Sequence, residues 1–327
     1  MKRNFILSLV LLLSVLGCFA TPPTVPSSSL TFPAANLDGN RFTATFNKGN
    51  GAFRIIVVKA GSAVNSLPLN GTDYTANSAY GTAGTEFAPG DGYVIFKGSN
   101  GSSSVSQVVT SLQAGTTYYV SIFEFNGSGA ATEYLMVPLT GNVTTKIAPT
   151  IQATITSFTA VTGNKLTINW SNGNGERRLI IARKAVAVNA TPVNLTDYSQ
   201  SSIFGSGAVL NGDNYVVYKG TGTSTTITGL DPNTVYHFAI FEYNGNLGPV
   251  YLTPGATGNQ LTNAGPTQSS GTISFNNIEG NRFTLSFAQG NGKYQLIIAR
   301  LGQPVTAIPV NGQTYTANPV FGAGQQV

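Results

Sequence analysis

Charged residues are scarce in this 327-residue chain, where Asp, Glu, Lys and Arg together make up 9%, against about 25% in an average globular protein. The chain has one cysteine, so it cannot form an intramolecular disulfide. It has one histidine. The formal net charge is +5 without any run of Lys or Arg, whereas nucleic-acid binding requires clustered positive charge. These absences exclude a disulfide-stabilised scaffold and a nucleic-acid-binding protein.

Apolar residues, glycines and hydroxyl or amide side chains supply most of the chain. Apolar residues account for 41%, enough for packed cores, and there are 38 glycines. Thr, Ser and Asn replace the Glu, Lys and Arg that helical surfaces usually carry. The composition therefore indicates an all-β protein, and the length indicates two or three domains.

The N-terminus has the pattern of a secretory signal peptide. A basic pair precedes an apolar stretch over residues 5–16, which is too short to span a bilayer. We expect cleavage after Ala20, so that residues 1–20 are the signal peptide and the mature chain is secreted or displayed at the cell surface, with no transmembrane segment. Acylation of Cys18 is the second interpretation, less favoured because Leu16 stands where a lipoprotein signal usually has a small residue.

Three segments of the chain repeat one another. Each consists of a Gly-Asn dipeptide, a run with period-two alternation and a Gly-Asn-Gly tripeptide, at residues 39–51, 163–175 and 280–292. The spacing of well over one hundred residues makes each unit a domain. The alternation predicts a strand whose inward residues include Phe46, Trp170 and Phe287. The Gly-Asn-Gly predicts a hairpin turn, since both residue types tolerate positive φ.

The next strand of each unit is apolar on both faces, as in Ile55-Ile56-Val57-Val58. Such a strand must be central in its sheet and covered twice. We expect the long connection that follows to cover the second face, anchored by its recurring aromatic residues.

A later segment resembles fibronectin type III domains. Leu112 to Tyr118 and Leu230 to Tyr236 are similar to the Leu-x-Pro-Gly-Thr-x-Tyr segment of that family. The resemblance implies tandem immunoglobulin-like β-sandwiches, a tyrosine corner at Tyr118 and Tyr236, and an inward strand-B aromatic matched by Trp170, with Phe46 and Phe287 in its place elsewhere. With its long loop after strand C, the chain is more similar to repeats in large secreted proteins of Gram-negative bacteria.

We therefore expect two complete modules at 26–146 and 150–264. The repeat at 268–327 lacks the later strands, so we expect an incomplete third copy and a chain that is part of a longer protein.

Two carboxylates are predicted to have a structural role. By strand parity Glu124 and Glu242 lie on an apolar face, where a lone charge is costly. Strands C and F are antiparallel neighbours in this fold, which places the start of C near the end of F. We predict the buried pairs Arg54–Glu124 and Arg178–Glu242, acting as structural contacts and not as acid/base catalysts.

Other candidate sites are weaker. The repeated aspartates Asp73 with Asp197 and Asp91 with Asp213 could contribute to a calcium site, but a turn aspartate bonding its own backbone is the commoner arrangement. His237 has no activated-serine context. We expect no catalytic residue, no cofactor and no metal.

The predicted function is a structural or adhesive array acting as a spacer or interaction scaffold. The alternative is an array of carbohydrate-binding modules attached to a downstream enzyme, with Tyr134 and Tyr251 as the best exposed aromatic candidates, although core or loop-anchor roles are favoured for both. Exposed coplanar aromatics would favour glycan binding, and buried ones the spacer. The partner classes to test are a polysaccharide and a cell-surface protein.

Overall fold

The computed structural model describes residues 20–99 and 101–327. The predicted signal peptide, apart from Ala20, and the predicted lipidation site Cys18 lie outside the described residues. The chain divides into two units, the first ending at Ile147 and the second beginning at Ala148. Each unit is a separate set of sheets. Within the described residues, no helix has the length and apolar content needed to cross a membrane.

The first unit contains eight described strands in two antiparallel sheets. One sheet has the order β1-β2-β5, and the other has the order β4-β3-β6, with β7 and β8 both paired to β6. Two short 3-10 turns lie at Ala34–Asn36 and Gly129–Ala131. The strands are β1 Ser28–Thr31, β2 Phe42–Asn47, β3 Phe53–Ala60, β4 Tyr93–Gly98, β5 Ser104–Val109, β6 Thr117–Asn126, β7 Glu133–Tyr134 and β8 Leu139–Thr144.

Strand β3 explains the layering of this unit, because both of its faces are buried. Ile56 and Val58 point between the two sheets and pack with Phe46 of β2. Ile55 and Val57 point the other way, into a second apolar cluster that includes Phe87. Phe87 belongs to the long connection over residues 61–92, so this connection covers the outer face of β3, as the two-sided apolar pattern predicts.

The second unit repeats this architecture. One sheet has the order β14-β10-β9, and the other has the order β12-β13-β11-β15-β16, with β17 paired to β15. Its strands are β9 Thr154–Thr159, β10 Lys165–Ser171, β11 Arg177–Lys184, β12 Val209–Leu210, β13 Asn214–Gly220, β14 Ser224–Thr228, β15 Val235–Asn244, β16 Val250–Tyr251 and β17 Ala256–Leu261.

The equivalent strands form the same pairs in both units. Strand β11 lies between β13 and β15 as β3 lies between β4 and β6, and β10 lies between β9 and β14 as β2 lies between β1 and β5. Trp170 is buried between the sheets with Ile180 and Phe238. The chain is thus all-β and built from tandem immunoglobulin-like, fibronectin type III-like sandwiches.

Residues 268–327 contain one antiparallel strand pair, β18 Ile273–Asn276 and β19 Thr284–Phe287. Phe287 was expected in the core of its own repeat, as Phe46 and Trp170 are in theirs, but it is only partly buried. Phe275 of the neighbouring strand is 55% exposed. The reason is that β18 and β19 form a two-stranded sheet of their own, without an opposing sheet among the described strands. The expectation of a buried Phe287 core was therefore wrong for the structure as described.

Candidate functional site

A buried ion pair joins strands β3 and β6 in the first unit. The antiparallel register places Arg54 opposite Glu124. The Arg54 Nε lies 3.2 Å from Glu124 Oε1, and Nη2 lies 3.3 Å from Oε2. Both side chains are at most 1% exposed. Arg54 Nη2 also donates to the carbonyl of Gly51 at 3.3 Å, so the pair reaches the hairpin turn that precedes β3.

The second unit has the same pair at the equivalent positions. Arg178 Nε donates to Glu242 Oε1 at 2.7 Å, and Glu242 is fully buried. Arg178 Nη2 donates to the carbonyl of Gly175 at 2.9 Å, and Nη1 to that of Thr221 at 3.2 Å. Because a guanidinium stays protonated at all ordinary pH values, the pair is suited to holding strands together and unsuited to proton transfer.

Each glutamate of these pairs also accepts hydrogen bonds from the Gly-Asn-Gly turn that precedes the strand of its arginine partner. Glu124 Oε1 accepts from the backbone N–H of Gly49 at 2.8 Å and from the Ser27 hydroxyl at 2.5 Å. Glu242 Oε1 accepts from the backbone N–H of Gly173 at 2.7 Å. The carboxylates therefore connect β6 and β15 to the Gly-Asn-Gly turns of their modules. Two buried atoms of the pairs, Arg54 Nη1 and Glu242 Oε2, have no hydrogen-bond partner within the described part of the chain.

The predicted corner tyrosines lie in the cores. The hydroxyl of Tyr118 accepts a hydrogen bond from the backbone N–H of Gln113 at 2.9 Å, and that of Tyr236 accepts one from Asp231 N–H at 3.0 Å. Both rings are at most 1% exposed. This is the geometry that a tyrosine corner requires, with the hydroxyl bonded to the backbone five residues upstream.

Asp91 anchors the long connection of the first module by contacts that sequence reasoning missed. Its carboxylate accepts from Lys59 Nζ at 2.6 Å and from the backbone N–H groups of Asn65 at 2.9 Å and Ser66 at 2.5 Å. Burial raises the pKa of Asp91, but the hydrogen bonds from Lys59, Ser66 and Asn65 outweigh it and lower the pKa to about 2. The anticipated local turn role is therefore incomplete, since these partners lie more than twenty residues earlier.

The second module performs the same task with a neutral side chain. Asn214 is fully buried, and its Oδ1 accepts from the backbone N–H of Asn189 at 3.3 Å. Asp213, which matches Asp91 in the sequence repeat, pairs with Arg183 Nε at 2.7 Å and is 53% exposed. An amide one residue later thus replaces the carboxylate of the first module.

The remaining repeated aspartates are also paired with cations. Asp73 accepts from Lys97, and Asp197 accepts from Lys219 Nζ at 2.6 Å. In the part of the chain that the structure describes, no three His, Cys, Asp or Glu side chains come together in a group that could hold a metal ion. The carboxylates that would contribute to a calcium site each have a Lys or Arg contact instead.

The Gly-Asn-Gly turns bind the segment that leads into each module. We call the residues Thr24–Val25, Thr150–Ile151 and Thr267–Gln268 the leading segments. In the first module Asn50 Oδ1 accepts from the N–H groups of Thr24 at 3.0 Å and Val25 at 2.9 Å, and Asn50 Nδ2 donates to the Thr24 hydroxyl at 2.9 Å.

The same three hydrogen bonds recur in the other repeats. Asn174 makes them to its leading segment at 3.0, 2.9 and 2.9 Å. Asn291 makes them at 3.1, 3.0 and 2.8 Å. The signal in the sequence is a Pro-Thr dipeptide 24 to 26 residues before each of these asparagines.

The glycine before each of these asparagines is required by the same contact. A Cβ on Gly49 would lie 2.1 Å from the carbonyl oxygen of Val25, and one on Gly173 would lie 2.0 Å from that of Ile151. On Gly290 it would lie 2.2 Å from the carbonyl oxygen of Gln268. Real Cβ atoms do not approach backbone oxygens this closely. Each Gly-Asn-Gly turn therefore both connects two strands and binds its leading segment.

The candidate sugar-binding aromatics are buried. Tyr134 and Tyr251 are 2% and 3% exposed. Their hydroxyls donate to the carbonyl oxygens of Thr72 at 3.1 Å and Thr196 at 3.0 Å, both within the long connections. The interpretation of these tyrosines as exposed platforms is therefore wrong, and their role as loop anchors is the one that the contacts support.

His237 lies partly exposed on β15. Its register partners are Arg183 on β11 and Asn259 on β17. Neither neighbour is the serine or carboxylate of a catalytic triad.

Comparisons with known proteins give likenesses of fold. No protein-family profile and no curated protein matches the chain. A two-domain fibronectin type III segment of chicken tenascin is 14% identical, covers 72% of this chain and 99% of its own, and has a TM-score of 0.26. The FN1–FN3 domains of chicken CNTN1 are 17% identical over 74% of this chain and 68% of theirs, with a TM-score of 0.31. The central fibronectin-III array of RIM-binding protein is 11% identical, covers 81% of this chain and 79% of its own, and has a TM-score of 0.22. The fold class rests on the strand pairing described above.

Proposed function

We propose that this chain is a secreted or cell-surface structural and adhesive array whose modules act as a spacer or interaction scaffold. The proposed modules span 26–146 and 150–264, with an incomplete copy at 268–327. The division of the chain after Ile147 supports the first boundary. Proteins of this kind do no chemistry themselves, and their function depends on how firmly each module holds its shape.

The observation that carries the proposal is that, in both complete modules, the repeated arginine, glutamate and tyrosine side chains contact partners in their own module. The ion pairs Arg54–Glu124 and Arg178–Glu242 are buried within one module each. Tyr134 and Tyr251 hold the long connections. Residue types that an enzyme would present in a cleft are here hydrogen-bonded between elements of the same module. Removing one partner of such a buried pair destabilises the module, because the other charge stays buried without compensation.

The leading segments support the spacer role. In the first unit the backbone N–H of Lys146 donates to the carbonyl of Asp38 at 3.1 Å. In the second module the backbone N–H of Thr150 donates to Asn174 Oδ1 at 3.0 Å. The residues between them are Ile147, Ala148 and Pro149. A linker this short that contains proline has few conformations available, as a spacer requires.

The carbohydrate-binding alternative lacks its expected surface feature. Stacking on a sugar requires exposed aromatic rings. Among the described residues of the two complete modules, the large hydrophobic side chains that are clearly exposed are aliphatic or methionine, such as Leu69, Met136 and Val193. We therefore rank glycan binding second.

Export is tested by expressing the full chain with a C-terminal tag in a Gram-negative host and separating cytoplasm, envelope and medium. We expect the tagged chain in the envelope or medium, with Thr21 as its N-terminal residue by mass spectrometry. The matched control is Leu12→Arg, which interrupts the apolar stretch and is expected to retain the chain in the cytoplasm. Cytoplasmic retention of the unmodified chain with an intact N-terminus would contradict the proposal.

Ligand binding is tested with the exported full chain on glycan arrays and insoluble polysaccharides. The spacer proposal predicts no concentration-dependent retention above that of a heat-unfolded sample. Saturable binding to one glycan class would replace the spacer with the carbohydrate-binding alternative.

A further inference from the structure

Asn-Gly dipeptides are frequent in the two complete modules. Those that the structure describes begin at Asn50, Asn70, Asn126, Asn172, Asn174, Asn211 and Asn244. The dipeptide is chemically reactive, because a glycine without a side chain lets its backbone nitrogen approach the asparagine side chain. The nitrogen can then attack the side-chain carbonyl carbon and release ammonia. A hydrogen bond to either reacting group opposes the attack, since that bond must first be broken.

All of these dipeptides but one have a reacting group held by a hydrogen bond. Asn50 and Asn174 bind their leading segments. The other held side chains accept hydrogen bonds at their Oδ1 atoms over 2.8 to 3.1 Å, and they are those of Asn70, Asn126, Asn172 and Asn244. The attacking N–H is a donor as well at Gly71, Gly173 and Gly245.

Asn211-Gly212 is the exception. Both residues are exposed, and among the described contacts there is no hydrogen bond of the Asn211 side chain or of the Gly212 N–H. The two residues have φ of 49° and 77° and lie in the turn between β12 and β13. Both groups that react in an Asn-Gly dipeptide are therefore unprotected at this turn.

We propose that Asn211 is a site of spontaneous deamidation in the folded chain. The Gly212 nitrogen bonds to Asn211 Cγ and gives up its proton, while the bond from Cγ to the side-chain nitrogen breaks and ammonia leaves. Water then opens the resulting succinimide at one of its two carbonyls, which leaves aspartate or isoaspartate at position 211. Nothing is oxidised or reduced, and water is the co-reactant.

The modification acts on the long connection of the second module. The backbone carbonyl of Asn211 accepts from Asn214 Nδ2 at 2.7 Å. Asn214 also holds Asn189 of the long connection, through its Oδ1 at 3.3 Å and its Nδ2 at 2.9 Å. In isoaspartate the main chain runs through the side-chain carbon, and the original carbonyl becomes a free carboxylate. The turn then lacks the peptide group that Asn214 contacts, so its hold on Asn189 weakens.

The test ages the full chain at pH 8 and 37 °C and follows each asparagine by peptide mapping with mass spectrometry. We expect Asn211 to convert at least about tenfold faster than Asn50, Asn174 and Asn244, because these three must break hydrogen bonds before the attack. In a chain unfolded in urea the four should convert at similar rates, since the dipeptide is the same and folding no longer protects any of them.

The variant Asn211→Gly is the matched control, because Gly-Gly also suits a turn with positive φ and has no side-chain amide to lose. Hydrogen exchange at the amide of Asn189 should become faster as the unmodified chain ages and should stay constant in the variant. The proposal is overturned if Asn211 of the folded chain converts no faster than the three held asparagines. It is also overturned if exchange at Asn189 is unaffected by conversion, or if ageing changes it equally in the variant.

Discussion

Asp91 offers a test of the loop anchoring with a magnitude that follows from the structure. Its carboxylate holds Lys59 and the backbone of Asn65 and Ser66, and its pKa is lowered from 3.8 to about 2. A pKa difference of this size corresponds to about 2 kcal/mol between the charged and protonated forms. We expect Asp91→Asn to reduce the free energy of unfolding of the first module by about 2 kcal/mol at pH 7.

The sign of the pH dependence follows from linkage. Because the folded-state pKa is below the unfolded value of 3.8, the contribution of Asp91 is fully present at neutral pH. It is lost as the pH falls through 3.8 toward 2. The stability difference between the native chain and Asp91→Asn should therefore shrink over this interval, although both proteins lose stability from other carboxylates.

The assay is urea unfolding of the full chain at several pH values, followed by circular dichroism and tryptophan fluorescence. The single tryptophan, Trp170, is buried in the second module, so its transition should not move. Hydrogen exchange should quicken at the amides of Asn65 and Ser66. Asp213→Asn is the matched control, since that side chain is 53% exposed, and we expect a change of at most about 0.5 kcal/mol. Equal effects of the two substitutions, or a difference that persists unchanged at pH 2, would refute the reasoning.

Three further substitutions test the second module through its tryptophan transition. Arg178→Ala leaves Glu242 buried without its cation, and we expect a loss of about 3–5 kcal/mol; an effect below 1 kcal/mol would show that the pair is not structural. Asn174→Ala removes three hydrogen bonds to the leading segment, and we expect the free energy of unfolding to fall by about 1–2 kcal/mol and amide hydrogen exchange at that segment to become faster. Unchanged exchange would show that Asn174 does not hold the leading segment. Tyr251→Phe removes one buried hydrogen bond, and we expect about 1 kcal/mol; a neutral result would mean that the hydroxyl does not anchor the long connection.

The regular parts of this fold could be read from residue patterns. Period-two alternation around Phe46 and Trp170 indicates half-buried strands, and a strand apolar on both faces indicates a central position. Strand parity placed Glu124 and Glu242 on an apolar face, and the neighbouring strands C and F that the fibronectin type III resemblance implies indicated which arginine faces each glutamate. Patterns of this kind work because the geometry of a β-sheet leaves few alternatives.

The irregular contacts could not be read in the same way. Asp91 accepts hydrogen bonds from the backbone of a loop whose path has no periodicity. In the second module Asn214, one residue further along the repeat, anchors the long connection instead. A Gly-Asn-Gly also fits an ordinary hairpin turn, so nothing in the tripeptide alone shows that Asn50 binds the leading segment. For Tyr134 a core or loop-anchor role was favoured, but its position along a strand does not reveal which loop folds over it.

The central claim is that each complete repeat is an independently folded, mechanically separate module. The most direct measurement is single-molecule force spectroscopy on the full chain held at its two ends. A module of about 120 residues extends by roughly 40 nm when unfolded, at ~3.6 Å per residue less its folded length. The account predicts two such events in each trace, with only short, weak extension from residues 268–327. A single event spanning both modules, or increments that do not match one module, would contradict it.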